Sequence, residues 1–147
     1  MTAPRGIRNN NPGNLGYNAF TKGLGATGVE PEGRFAVFPD MPTGICALAK
    51  NLINYQDKQK TAQGGRIDTV AEAITRWAPG NENNTAQYIT FVCGVLNCRP
   101  DNEFNFRDPD FLYWMVTAIG EEESGHDAFT HGVTDADINA GIAAALA

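Results

Sequence analysis

The sequence is short of positive charge: 11 Lys and Arg stand against 17 Asp and Glu, a formal net charge of -6. A nucleic-acid binder needs a basic face to neutralise phosphates, so that class is set aside. Affinity for an anionic wall polymer would have to come from a shaped groove, because the overall charge works against it. Long apolar runs are missing as well. No stretch of about 18 apolar residues is available to span a bilayer, and Met1-Thr-Ala-Pro-Arg-Gly6 contains no apolar segment of a secretory leader. The chain is therefore expected to be made in the cytoplasm without a signal peptide and without a membrane span. Histidine is scarce, with only His126 and His131, and the three cysteines, Cys46, Cys93 and Cys98, form no CxxC unit. With no HExxH either, a zinc centre lacks its ligands, so no metal and no cofactor is implied. The cysteines read as buried thiols on helices, and the histidines as exposed residues of a Gly-rich turn. The absence of a GxSxG elbow and of a phosphate-cradling P-loop leaves serine hydrolases and nucleotidases without a signature.

What is present describes one folded domain over residues 1–147, since nothing in the composition breaks the chain. Residues 1–33 are rich in Gly, Asn and Pro, which predicts turns and loops. Arg34 to Phe38 alternates like a short strand stopped by Pro39. Past Asp40 and Pro42, Ile45, Leu48, Ala49, Leu52 and Ile53 fall at helical spacing, with Lys50, Asn51 and Asn54 elsewhere on the wheel. Gln56 to Arg66 is polar and ends in Gly64-Gly65. Thr69 and Glu72 then form a capping box ahead of Ala73, Ile74 and Trp77, and Pro79-Gly80 ends that helix. Thr85 is expected to cap a third helix carrying Tyr88, Ile89, Val92, Val95 and Leu96. Asp108-Pro109 opens a fourth with Leu112, Met115, Val116 and Ile119 on one face, and Thr134 or Asp135 opens a fifth. The expected fold is mostly α, or α+β with one small β element, with about five helices.

Carboxylates are the remaining source of chemistry. Leu112, Val116, Ile119 and Glu123 are spaced four, three and four apart, so Glu123 extends the apolar face of the fourth helix. Burial, the negative end of a helix and the neighbouring Glu121 and Glu122 all favour the protonated acid there, the form a glycosidase needs to protonate a leaving oxygen. The same triplet also reads as a solvated, frayed helix end before Gly125, and spacing alone does not choose.

Several blocks extend over nearly the whole chain: Arg5-Gly6-Ile7-Arg8-Asn9-Asn10-Asn11-Pro12-Gly13-Asn14-Leu15, Gly33 to Phe38 with Gly44-Ile45, Arg76-Trp77-Ala78-Pro79 with Glu82-Asn83, Thr85 and Tyr88, and Ala118-Ile119 with Glu123-Ser124-Gly125. In this order they resemble a phage and prophage family of peptidoglycan-lytic proteins similar to the lysin of enveloped double-stranded RNA phages. The resemblance implies a lysozyme-like fold. Glu123-Ser124-Gly125 looks like the catalytic motif of soluble lytic transglycosylases, and because that motif comes last here, the resemblance further implies a circular permutation.

On this resemblance the chain is a phage endolysin type, a lytic transglycosylase or muramidase cleaving the β-1,4 bond between N-acetylmuramic acid and N-acetylglucosamine in host lysis. Glu123 would be the catalytic acid and base. Ser124 would orient it, Tyr88 would support it or contact the sugar, Asn9, Asn11 and Asn14 would bind N-acetyl groups and hydroxyls, and Trp77 would stack on a sugar face. Each Asn equally suits a turn, and Trp77 equally suits the core. A hydrolase would need a second carboxylate roughly 6.5 to 9.5 Å from the first, for which Glu32, Glu82 and Glu30 are candidates. The expected partner is bacterial peptidoglycan in the periplasm, reached as a monomer through a holin or inside a particle. A virion-associated structural or wall-binding protein with a degenerate site, and a cell-wall endopeptidase, are the alternatives.

Overall fold

The computed structural model describes residues 3–80 and 82–147, and for 82 and 83 the backbone alone. Eight helices and one two-stranded sheet follow in chain order: α1 Arg5–Arg8, α2 Ala19–Gly23, β1 Gly28–Val29, β2 Ala36–Val37, α3 Met41–Lys58, α4 Val70–Trp77, α5 Glu82–Leu96, α6 Pro109–Ser124, α7 His126–Gly132 and α8 Asp135–Leu146. The protein is thus mostly helical with one small β element, as the patterning predicts, but the number of helices is eight among the described residues, not five. The three additional ones, α1, α2 and α7, are a turn or two long, too short to show an apolar period.

The long helices start where their caps stand. Asp40 accepts from the Thr43 amide ahead of Pro42, Asp108 accepts from the Asp110 amide ahead of Pro109, and Thr69 with Glu72 and Thr134 with Asp137 form reciprocal capping boxes. Thr85 is the exception. The helix begins three residues earlier, at Glu82, and the Thr85 hydroxyl reaches back to the Ala78 carbonyl, closing the turn between α4 and α5. Helix α3 also continues through Gln56 to Lys58, because Gln56 is buried and bridges to the Phe104 carbonyl and the Phe106 amide.

The core forms on α3. Ile45, Leu48 and Leu52 meet Ile74, Val92, Leu112, Met115, Ile119, Ile138 and Ile142 in one buried cluster. A second, smaller cluster of Leu15, Ala36, Phe38 and Ala47 lies beneath the N-terminal segment, and Trp77 packs against both. That segment is not loose loop. Asn10 and Asn14 adopt left-handed backbone at φ 52° and 51°, which asparagine tolerates, and Asn11 ties Leu15 to the strand through both its amide atoms. Strands β1 and β2 pair antiparallel, Gly28 with Val37 and Val29 with Ala36, while Gly16 bridges Phe35 nearby. No helix is long and apolar enough to cross a membrane among the described residues.

Of the cysteines, only Cys93 is buried, with its thiol pushed up to about 12 by burial and then by neighbouring Cys98; Cys46 and Cys98 are half-buried, and all three are free thiols. His126 and His131 are exposed, as expected, but lie on α7 instead of in a turn.

Candidate functional site

Glu123 sits on the last turn of α6, half-buried where continuation of the apolar face predicted burial. It lines an open cleft of about 360 Å³ at the seam between the two core clusters. Gly13 to Gly16, Arg34 and Phe35 line it together with Asn51, Tyr55, Trp77 and Ala78.

Tyr88, from α5, donates its hydroxyl to Glu123 Oε2 at 2.9 Å and accepts from Trp77 Nε1 at 3.1 Å. Burial first, and then the charge and hydrogen bond of Glu123, hold the Tyr88 phenol far above its ordinary range, so it stays a proton donor to the carboxylate at every physiological pH. Asn14 Nδ2 lies 3.5 Å from both Glu123 Oε1 and the Glu123 carbonyl, at the outer limit of a hydrogen bond. Oε1 is accordingly the oxygen held less tightly.

Asn14, Trp77, Tyr88 and Glu123 are therefore brought together, whereas Asn9, Asn11 and Ser124 are not. Asn9 is buried with its amide on Glu30, and Asn11 is fully buried in backbone hydrogen bonds, so both shape the N-terminal segment. Ser124 turns away from the carboxylate: its hydroxyl donates to the Pro12 carbonyl at 3.4 Å and packs where a side chain on Gly6 would otherwise sit. It fastens the end of α6 to the segment that carries Asn14.

Glu30 and Glu32 are also absent from the cleft lining. Glu30 is 2% exposed, paired with Arg5 Nε at 3.0 Å and accepting from Asn9 Nδ2 and the Phe35 amide. Glu32 is exposed and is not among the lining residues. The side chain of Glu82 falls outside the described residues. Among the described residues Glu123 is the one carboxylate in the cleft wall.

Arg34, Phe35, Asn51 and Tyr55 were not singled out in the sequence. Asn51 and Tyr55 carry a faint signal, standing four apart off the apolar face of α3, and burial raises the Tyr55 phenol while its hydrogen bond with Asn51 opposes that. A larger hollow of about 750 Å³ lies on the far side of residues 76–79, lined by Lys60, Thr61, Glu72 and Arg76. Its carboxylate, Glu72, is consumed by the capping box, accepting from the amides of Asp68 and Thr69 and from the Thr69 hydroxyl. In the smaller cleft the carboxylate is instead met by side chains from distant segments, the Tyr88 hydroxyl at Oε2 and, at the limit of a hydrogen bond, the Asn14 amide at Oε1. No cluster of His, Cys, Asp and Glu among the described residues has the makings of a metal site.

No family model matches the chain. The chain is 30% identical over 132 residues to Protein P5 of Pseudoalteromonas phage PM2, an alignment that covers 88% of this chain and 76% of that protein. That phage is not an enveloped double-stranded RNA phage, so the assignment to the lysins of those phages, with the permuted block order read from it, does not hold. The short Asn-Pro-Gly and Glu-Ser-Gly blocks behind it are turn and helix-end sequences, here serving a buried hydrogen-bonded turn and the close of α6. By its similarity over most of both sequences, the chain belongs to the family of Protein P5 of Pseudoalteromonas phage PM2.

Proposed function

We propose that the protein cleaves the β-1,4 bond between N-acetylmuramic acid and N-acetylglucosamine in bacterial peptidoglycan, on a lysozyme-like arrangement of helices, with Glu123 as acid and base. The observation that carries this reading is the Glu123 carboxylate in an open cleft, with Tyr88 donating to Oε2 at 2.9 Å and no second carboxylate in the wall among the described residues. Tyr88 fixes the carboxylate through one oxygen and leaves Oε1 to carry the proton. Protonated at Oε1, Glu123 gives its proton to the glycosidic oxygen as the bond to the muramyl C1 breaks. The muramyl 6-hydroxyl then closes on C1, and its proton passes to the carboxylate, which returns Glu123 to its starting form with a 1,6-anhydro end on the product. One carboxylate serves both halves of that cycle, whereas an inverting hydrolase needs a second at roughly 6.5 to 9.5 Å. A family relative from a phage fits a wall polymer as target, since a phage must breach the wall.

The test is mass spectrometry of purified peptidoglycan digested by wild type and by Glu123→Gln. Anhydromuropeptides from wild type, reduced roughly a hundred- to ten-thousand-fold in the variant, are expected. Reducing ends would indicate a lysozyme, free amino groups without new sugar ends a peptidase, wall binding without dissolution a structural protein, and products unchanged by the substitution would remove Glu123 from the chemistry.

A further inference from the structure

We infer that Arg34 forms a carboxylate-binding subsite in the Glu123 cleft, so that the substrate carries an acidic group beside the bond to be cut; this rests on the glycan-cleaving reading above. Arg34 is the one cation lining the cleft among the described residues. Of the six other arginines four have a side-chain partner, Arg5 with Glu30, Arg99 with Asp101, Arg107 with Asp57 and Arg76 with Gln59, and none of the six lines the cleft. Among the described residues no carboxylate pairs with Arg34.

Arg34 is exposed, and its guanidinium rests on an aromatic ring over a strand tied down by its backbone. The guanidinium carbon lies 4.8 Å from the centre of the Phe35 ring, the Arg34 carbonyl accepts from the Tyr17 amide at 3.2 Å, and Phe35 bridges Gly16. The Arg5 guanidinium rests 4.9 Å from the same ring and is neutralised by Glu30, so the charge left for the cleft is that of Arg34. A planar fork held on an aromatic ring loses little freedom on binding and matches a carboxylate through two parallel hydrogen bonds.

A neutral sugar needs no such group. An acidic one does, because the molecule carries a formal charge of -6 and the cleft holds Glu123, both of which repel it. On a muramyl glycan the carboxylate is that of the stem peptide where a stem is attached, since the lactyl carboxyl is then in amide linkage, and that of the lactyl ether where it is not; the chemistry at Arg34 is the same for both.

The experiment compares wild type and Arg34→Gln on native peptidoglycan fragments, on the same fragments with stem carboxylates amidated, and on strands stripped of stems so that the lactyl carboxylate is free. Wild type is expected to release chain ends from the native form about 10- to 100-fold faster than from the amidated form, the worth of one charge-assisted pair. Arg34→Gln should level the two by slowing the native form alone, and Arg34→Lys should recover part of the difference. Stripped strands cut as fast as native ones show that the freed lactyl carboxylate also fits the subsite, and strands cut as slowly as amidated ones restrict it to the stem carboxylate. Equal slowing on native and amidated substrates, or a wild type that does not discriminate, overturns the subsite. Binding supplies an arm independent of turnover: muramyl dipeptide should shift the amide resonances of residues 33–35, and its carboxyl-amidated form should not. That difference without any cleavage would overturn the catalytic reading alone, and cleavage without that difference would overturn the subsite alone.

Discussion

Tyr88 is the residue on which the chemistry of the cleft turns. Its hydroxyl has one proton, given to Glu123, and its acceptor capacity is engaged by Trp77, so it has a single orientation. Tyr88→Phe removes the hydrogen bond to Glu123 and leaves the Trp77 Nε1 donor without its acceptor while keeping the ring volume; kcat/KM for glycan cleavage is expected to fall about 10-fold or more, with stability lowered by about 1 to 3 kcal/mol in thermal denaturation. At the other side of Gly125, exposed His126 lies 2.6 Å from Glu121, whose hydrogen bond and then charge raise the imidazole above its ordinary value. A raised folded value means the pairing stabilises the fold fully below about pH 6.5 and ceases to do so as pH rises through the raised midpoint. An NMR titration of His126 should show that midpoint above the free-histidine range, and Glu121→Gln should bring it back.

At the scale of elements, the cleft depends on how closely the N-terminal turn lies on α3. A side chain at Gly44 would place its Cβ 1.7 Å from the Asn10 carbonyl oxygen, a backbone atom that cannot swing aside. Gly44→Ala should therefore destabilise by roughly 1 to 3 kcal/mol although alanine is the better helix former, and activity should fall further as Asn14 moves with the turn. Gly94 is the control. It is exposed on α5 with nothing within 4 Å of a built Cβ, so Gly94→Ala should stabilise by about 0.4 to 1 kcal/mol. Thermal denaturation of the two variants should give shifts of opposite sign. The capped helices were legible because a cap and an apolar period are local properties of a dozen residues: Asp40, Thr69, Asp108 and Thr134 each stand one residue before a helix. Helices α1, α2 and α7 were not, because their few residues are held by contacts to the rest of the molecule, as Ile7 is by Gly132 of α7.

For the whole molecule, α8 is the piece that completes the core. Ile138 and Ile142 are buried against α3, and Gly141 lets the two helices approach until a Cβ would stand 2.5 Å from Ile45. Removing residues 135–147 would expose the fully buried Ile45 to water and take Ile138 and Ile142 out of the core, each worth about 1.5 to 3 kcal/mol of lost burial, a large part of the stability of a domain this size. The truncated chain is expected to lose its cooperative thermal transition by circular dichroism. The cleft itself is a long-range object: Asn14 and Glu123 are 109 residues apart, and Tyr88 is 35 from Glu123.

By itself the sequence determined the helical class, the starts of the capped helices and the position of Glu123 at the end of an apolar face, since these follow from spacing and capping within a few turns. Only the tertiary structure decided what each polar residue does. Asn9, Asn11 and Asn14 share one side chain and one segment, yet Asn11 is spent on backbone, Asn9 on Glu30, and Asn14 alone reaches Glu123. Glu30 and Glu123 are likewise the same acid, one sealed against Arg5 and the other open to a cleft. A carboxylate or amide acquires its role from the donors, charges and water around it, and those neighbours are assembled by packing between segments far apart in the chain.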